Sequence, residues 1–224
     1  MSIERIRTGV PGLDEVLGGG IPKDSLFLIA GPAGVGKTVM CVQIVYNNVL
    51  QGKRAVFVSF DEGRKLIEYM KGFGWDLEAL INEGKLALLD FVAIKERGVP
   101  DYVNIILQRI QEMKAEIAVI DSLTTLVLSM PEPAEARIVI DLLRKMKPPG
   151  TTIIATANMS MGSKKIGVGV EEIIADGVLL LKRYFYKGEQ RIKLLVVKLR
   201  GSQHSRKFHE VLITNKGIEV MMVA

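Results

Sequence analysis

Apolar residues follow two patterns along the chain, and the two patterns alternate. The first is a short block of nearly continuous apolar residues, which is typical of strands buried on both faces of a parallel sheet. Such blocks occupy residues 26–30, 54–60, 85–91, 117–120 and 151–157. The second is a longer stretch whose apolar residues suit a helix, as in residues 38–46, 103–113 and 138–146. This alternation predicts an α/β fold in which helices flank a mostly parallel sheet.

The last third of the chain changes character. Its β-favouring segments are separated by short turns and lie at residues 178–186, 191–200, 208–214 and 218–223. The turn Asn215-Lys216-Gly217 suits a tight hairpin, so we expect an antiparallel extension at the C-terminal side of the sheet. No linker, repeat or low-complexity tract interrupts the sequence, which predicts a single domain over residues 1–224.

Composition narrows the class of protein. The 224 residues are 48% hydrophobic and 25% charged, as expected for a globular chain with a full-sized core. We expect no membrane partner, because no apolar run could span a bilayer and the N-terminus lacks a signal-peptide stretch. The one cysteine, Cys41, excludes an intramolecular disulfide and favours a reducing, cytoplasmic compartment. The net charge of +5 is scattered, so it permits a nucleic-acid partner without requiring one.

Residues 31–38 match the phosphate-loop pattern G-x-x-x-x-G-K-[ST] and lie between a predicted strand and a predicted helix. Glycines let consecutive backbone N–H groups point at an anion, and the positive end of the following helix adds to the field. A glycine-rich turn that matches by chance is the alternative, and the strand–loop–helix context makes it much rarer. We therefore predict that the nucleotide is bound by Gly31, Pro32, Ala33, Gly34, Val35, Gly36, Lys37, Thr38 and Val39.

Two further strand ends carry acidic residues. Asp121 follows a buried strand downstream of the phosphate loop, where an Asp holds Mg²⁺ through water, and Thr38 offers the same ion a hydroxyl. We therefore predict Thr38 and Asp121 as the metal site. Asp61 and Glu62 follow the second strand, where a carboxylate can orient the water that attacks the γ-phosphate. The alternative is that they cap the next helix, and the residues alone do not separate these readings.

These motifs occur together with others in an order that resembles KaiC-like ATPases of the RecA superfamily. The resemblance covers nearly the whole chain. Outside the phosphate loop it rests on residues 8–9, 13–14, 18–20, 57–62, 73–77, 83–86, 119–124, 169–173, 176, 198–204 and 213–218. It implies a RecA-like P-loop NTPase fold with core strand order 5-1-4-3-2, ATP with Mg²⁺ as the cofactors, and a homo-hexameric ring. A circadian clock role is not implied, because clock KaiC carries two such domains in tandem and this chain has one.

The resemblance also implies which residues act on ATP within one subunit. Glu62, assisted by Asp61, corresponds to the catalytic acid pair of the family, although the first acid here is Asp rather than the usual Glu. Lys37, which reaches the β- and γ-phosphates, completes the predicted catalytic residues of that subunit.

Other roles concern the neighbouring subunit. Lys198 and Arg200 match family positions that reach the γ-phosphate of the adjacent subunit's ATP, as an arginine finger does. The strand pattern alone favours the alternative, two solvated cations on an edge strand. Arg206 and Asn215 are candidates for contacting the base or ribose of the adjacent nucleotide.

Three functions remain in competition. The one we expect is a ring-forming, Mg²⁺-dependent ATPase with a regulatory output, acting on an unknown protein partner. Autophosphorylation is possible, but no motif in the sequence supports it. The second is a nucleotide-gated scaffold with negligible turnover. The third, a recombinase-like DNA motor, is disfavoured because the loop at residues 159–170 offers only Lys164 and Lys165 and no aromatic to stack a base.

Overall fold

A computed structural model describes residues 3–92, 99–128, 130, 132–160, 163 and 165–222. Lys164, named above for the DNA alternative, lies outside these ranges. None of the helices described combines the length and apolar character that a membrane span requires. In chain order the elements are β1 (Arg5–Ile6), α1 (Leu13–Val16), β2 (Ile21–Pro22), β3 (Leu26–Gly31), α2 (Lys37–Leu50), β4 (Ala55–Ser59), α3 (Lys65–Lys71), α4 (Leu77–Asn82), β5 (Leu86–Asp90), α5 (Val99–Met113), β6 (Ile117–Asp121), α6 (Leu123–Leu128), α7 (Pro133–Met146), β7 (Thr152–Asn158), α8 (Glu171–Ile174), β8 (Gly177–Tyr186), β9 (Glu189–Leu199), β10 (His209–Thr214) and β11 (Gly217–Met221).

Nine of these strands form one sheet in the order β11-β10-β9-β8-β3-β7-β6-β4-β5. The six strands from β8 to β5 are parallel to one another, and β9, β10 and β11 continue the sheet in antiparallel pairs. When β3, β4, β6, β7 and β8 are numbered 1 to 5, their order is the predicted 5-1-4-3-2, and β5 adds an edge strand beyond β4. The predicted RecA-like α/β fold with antiparallel C-terminal strands is confirmed.

Strand β8 belongs to both parts of the sheet, whereas the sequence pattern assigned it to the antiparallel extension. Its first half, from Gly177 to Leu181, is buried, and the residues up to Leu180 pair in parallel with β3. Its second half is mostly exposed and pairs only with β9. The change in burial explains the assignment, because the polar second half resembles the extension rather than the core.

The parallel strands are buried because helices cover both faces of the sheet. On one face, Phe27 and Ile29 of β3 pack in the same apolar cluster as Ile44 of α2. On the other face, Leu28 of β3 lies in a cluster with Ile106 of α5 and other helical residues. Alternate residues of β3 therefore point to opposite layers, and the buried strand leads directly into the loop at its carboxyl end.

The C-terminal hairpin is fastened to α2 by one side chain. Gln43 Nε2 donates to the Ile218 carbonyl oxygen at 3.0 Å, and the Ile218 N–H donates to Gln43 Oε1 at 2.7 Å. Next to this contact, a Cβ on Gly217 would lie only 2.8 Å from the Trp75 ring, so the close approach requires glycine. This linkage brings Ile213 of β10 against the start of α2.

Candidate nucleotide-binding site

The phosphate loop connects β3 to α2, as its sequence predicted. Gly34 and Gly36 have φ angles of 76° and 88°, in the left-handed region that glycine adopts without strain. A Cβ on Gly36 would also lie 2.8 Å from Ile213 Cδ1, so the loop and the C-terminal hairpin are in close contact. The N-terminus of the 14-residue α2 begins directly at Lys37, which places the positive end of its dipole beside the loop.

Lys37 is the buried cation of the loop. Its side chain is 8% exposed, and Nζ donates to the carbonyl oxygens of Gly31 and Pro32, both at 2.9 Å. Burial lowers the pKa of the Lys37 amine, and the negative charge of Asp121 opposes that shift. An anion bound in the loop would offset the cost of burying this charge, which is the electrostatic basis for phosphate affinity.

Thr38 and Asp121 meet at the start of α2. Thr38 Oγ1 donates to Asp121 Oδ2 at 2.7 Å, and the other carboxylate oxygen of Asp121 accepts a hydrogen bond from Thr156 on β7. A hydroxyl and a carboxylate oxygen side by side fit Mg²⁺, which prefers oxygen ligands and takes few of them from protein. Among the residues described, no group of three or more His, Cys, Asp and Glu is placed to hold a metal ion.

Asp61 ends a chain of hydrogen bonds across neighbouring strand ends. Asn158 Nδ2 donates to Ser122 Oγ at 3.4 Å, the Ser122 and Thr125 hydroxyls are 2.6 Å apart, and Thr125 Oγ1 donates to Asp61 Oδ1 at 3.2 Å. Burial raises the pKa of Asp61, the Thr125 hydrogen bond opposes the shift, and the nearby Asp121 charge reinforces it. Its carboxylate is therefore a better proton acceptor than an ordinary Asp.

The alternative reading of Asp61 and Glu62 as helix caps is wrong. Helix α3 begins at Lys65, and its N-cap residue is Arg64, which makes no capping hydrogen bond through its side chain. Instead, Ser59 Oγ accepts the N–H groups of Glu62 and Gly63 and so fixes the turn. Glu62 itself is exposed, at the same carboxyl edge of the sheet as the phosphate loop.

The phosphate loop follows the carboxyl ends of the parallel strands, and Lys198 and Arg200 lie at the opposite edge of the sheet, beside the amino ends of those strands. Leu199, between them, pairs with Gly177, which pairs with Phe27, and Gly31 lies four positions further along β3. That separation is about 13 Å along the strand. The two cations therefore do not meet the phosphate loop of their own chain.

Both cations are held in place. Lys198 Nζ donates to the carbonyl oxygens of Glu172 and Ile173 at 3.1 and 3.0 Å. Arg200 Nη1 donates to Asp176 Oδ1 at 3.1 Å. Burial lowers the pKa of the Lys198 amine, and the nearby Arg200 charge lowers it further.

Asp176 anchors Arg200, a role that the sequence analysis did not predict. Its carboxylate accepts hydrogen bonds from Arg144, Arg200 and the N–H of Leu26. Burial alone would raise its pKa, but these hydrogen bonds outweigh burial and hold the pKa of Asp176 below its ordinary value.

The two candidates for base or ribose contacts are separated within the chain. Arg206 precedes β10 and Asn215 follows it, and both are exposed. The six residues of β10, about 20 Å of strand, lie between them in the chain.

A family model described as "ATPase: KaiC" matches residues 6–224. The chain belongs to this family of KaiC-type ATPases. The matched region includes every element of the site described above, and membership in an ATPase family supports ATP binding at the phosphate loop.

Relatives of similar length support the same assignment. A UPF0273 protein of Thermotoga maritima is 33% identical over 97% of this chain and 96% of its own length. A UPF0273 protein of Methanocaldococcus jannaschii is 34% identical over 97% and 96%. The crystal structure of the KaiC-like protein PH0186 from Pyrococcus horikoshii OT3 superposes with a TM-score of 0.88 at 32% identity, over 99% of this chain and 100% of that one. The whole KaiC-type chain therefore has a solved counterpart of the same fold.

Proposed function

We propose that this chain is an Mg²⁺-dependent ATPase that works as a homo-hexameric ring and passes its nucleotide state to a protein partner as a regulatory output. The observation that carries the proposal is the division of the charged groups between two edges of one sheet. The phosphate loop, Thr38, Asp121 and Asp61 lie at the carboxyl edge, and Lys198 and Arg200 lie at the other.

Within one copy, the loop N–H groups and Lys37 bind the phosphates. Thr38 and Asp121 would hold Mg²⁺, which would supply positive charge to stabilise the transferring phosphoryl group. Glu62 orients the attacking water and accepts its proton, and Asp61 assists. The raised pKa of Asp61 suits that role, because a carboxylate that is easier to protonate takes a proton more readily.

Between copies, Lys198 and Arg200 complete the site. A head-to-tail contact places the cation edge of one copy against the phosphate loop of the next, so that charge reaches the transferring phosphoryl group from outside the chain. Because Asp176 and the α8 carbonyls already hold both side chains, little conformational freedom is lost when the contact forms. Arg206 and Asn215 contact the base or ribose of the nucleotide in the adjacent copy.

The first test is molar mass by light scattering with no nucleotide, with ADP and with a non-hydrolysable ATP analogue, followed by phosphate release from each sample. The proposal predicts a hexamer that forms or tightens with the analogue and releases phosphate with Mg²⁺. Lys37→Ala should abolish release. A monomer that binds ATP without turnover would instead favour the nucleotide-gated scaffold.

Mixing two inactive variants tests the contribution of the neighbouring copy. Lys37→Ala and Arg200→Ala should each be inactive alone. In a random one-to-one mixture, about one quarter of the contacts join an intact loop to intact cations, so about a quarter of the wild-type rate should return. Lys193→Ala is the matched control, since it removes a cation of β9 that stacks on Tyr184 and Phe208 instead. A mixture as inactive as its components would refute action between copies.

A further inference from the structure

Strand β8 runs alongside β3 and continues past the point where β3 becomes the phosphate loop. The parallel pairing ends at Ala30 and Leu180, and the Leu181 carbonyl oxygen would lie 2.6 Å from a Cβ on Gly31. Two residues further on, Arg183 lies against the phosphate loop. Its side chain therefore approaches the loop from the neighbouring strand of the same copy.

The guanidinium of Arg183 contacts the segment of the loop before Lys37. Its Nη2 donates to the Ala33 carbonyl oxygen at 2.6 Å, and a Cβ on Gly34 would lie 3.3 Å from the same nitrogen. A phosphate loop works when its N–H groups converge on the anion. A donor that fixes the Ala33 carbonyl restricts the rotation of the Ala33–Gly34 peptide, and so holds the N–H of Gly34 in one direction.

The charge of Arg183 is not compensated nearby. No carboxylate of the described residues forms an ion pair with it, whereas Arg191, on the adjacent strand, pairs with Glu189 and Glu210. Arg183 Nε is also buried, and within the described part of the chain it has no hydrogen-bond partner. Buried donors without partners are uncommon in native proteins, so each one calls for a physical explanation. Here the full positive charge of an arginine stays beside the phosphate loop.

We propose that Arg183 is a positioning residue of the phosphate loop, which holds the Ala33–Gly34 peptide in its phosphate-binding conformation and adds an uncompensated cation to that of Lys37. The proposal rests on nucleotide binding by the loop. It assigns part of the affinity for the phosphates to β8, outside the loop motif itself.

The experiment compares ADP and adenosine binding, by displacement of a fluorescent ADP analogue, in the wild-type chain and in Arg183→Gln, Arg183→Lys and Arg191→Gln. Arg183→Gln should weaken ADP binding about ten- to a hundredfold, the usual effect of losing a charged hydrogen bond, and leave adenosine binding unchanged. The ADP affinity of Arg183→Lys should lie between those of the wild-type chain and Arg183→Gln, because lysine keeps the charge but not the planar guanidinium group. Arg191→Gln, on the adjacent strand, should bind ADP as the wild type does.

The thermal midpoint without nucleotide separates positioning from a general structural role. It should be the same in Arg183→Gln as in the wild-type chain, since the backbone pairing of β8 with β9 does not depend on this side chain. Unchanged ADP affinity in Arg183→Gln, or an equal loss for ADP and adenosine, would overturn the inference and leave the proposed function standing. A wild-type chain that does not bind ADP would overturn both.

Discussion

Replacing Gln43 by leucine should loosen the C-terminal hairpin from α2. The Gln43 side chain is 5% exposed and makes one hydrogen bond to each backbone polar group of the fully buried Ile218. Leucine has a similar volume but no polar atoms, so both groups of Ile218 would be left unpaired. Each unpaired buried group costs about 1–3 kcal/mol, and the better burial of leucine offsets part of that cost. We expect a net loss of about 3 kcal/mol, which for a chain of this size lowers Tm by about 6–12 °C.

Urea unfolding, followed by the fluorescence of Trp75, measures this directly. Trp75 is the one tryptophan of the chain, and it lies beside Gly217 at the same contact. The midpoint should fall while the slope stays constant, because the loss is one of stability rather than of compactness. Gln108→Leu, on an exposed position of α5, is the matched control and should leave the midpoint unchanged. If the two variants unfold at the same urea concentration, the Gln43 hydrogen bonds do not stabilise the chain.

Two further predictions concern the edges of the sheet. Gly36→Ala adds a Cβ at a left-handed φ of 88° and 2.8 Å from Ile213. The ADP affinity, measured by calorimetry, should therefore fall at least about tenfold. An unaltered affinity would mean that the loop accommodates the added methyl group. The second is a pH effect. Because the pKa of Asp176 is depressed on folding, its stabilising contribution is complete above the ordinary Asp value of about 3.9 and is lost as pH falls below it. Asp176→Asn should therefore be less stable than the wild-type chain at pH 7, and the difference should shrink between about pH 5 and pH 3 in urea titrations. A constant difference across that range would contradict the assigned pKa.

The local sequence was sufficient to predict features whose residues lie close to one another along the chain. The phosphate loop is one continuous strand–loop–helix segment, and the Asp121 strand end follows from a single apolar block, so both were predicted in place. The strand order came from the family resemblance, because periodicity says which segments are strands but not which strands are neighbours.

The roles that the sequence did not predict depend on contacts between distant segments. Arg183 reaches Ala33 only because β8 pairs with β3 in a register that carries it past the loop, 150 residues away along the chain. Asp176 acquires its role from Arg144 and Arg200 on two other elements. Neither residue belongs to a motif whose spacing indicates its partner, since the contact is set by sheet register rather than by sequence distance.

The placement of the phosphate loop and of Lys198 with Arg200 at opposite edges has a consequence for how activity scales. If those cations serve the next copy, two copies joined head to tail leave one loop unserved and one cation pair idle. An open row of copies always leaves one phosphate loop without cations, whereas a closed ring leaves none. The rate of ATP hydrolysis per subunit would then rise with protein concentration and become constant once closed rings have formed. The turnover would therefore depend on how much of the protein is present.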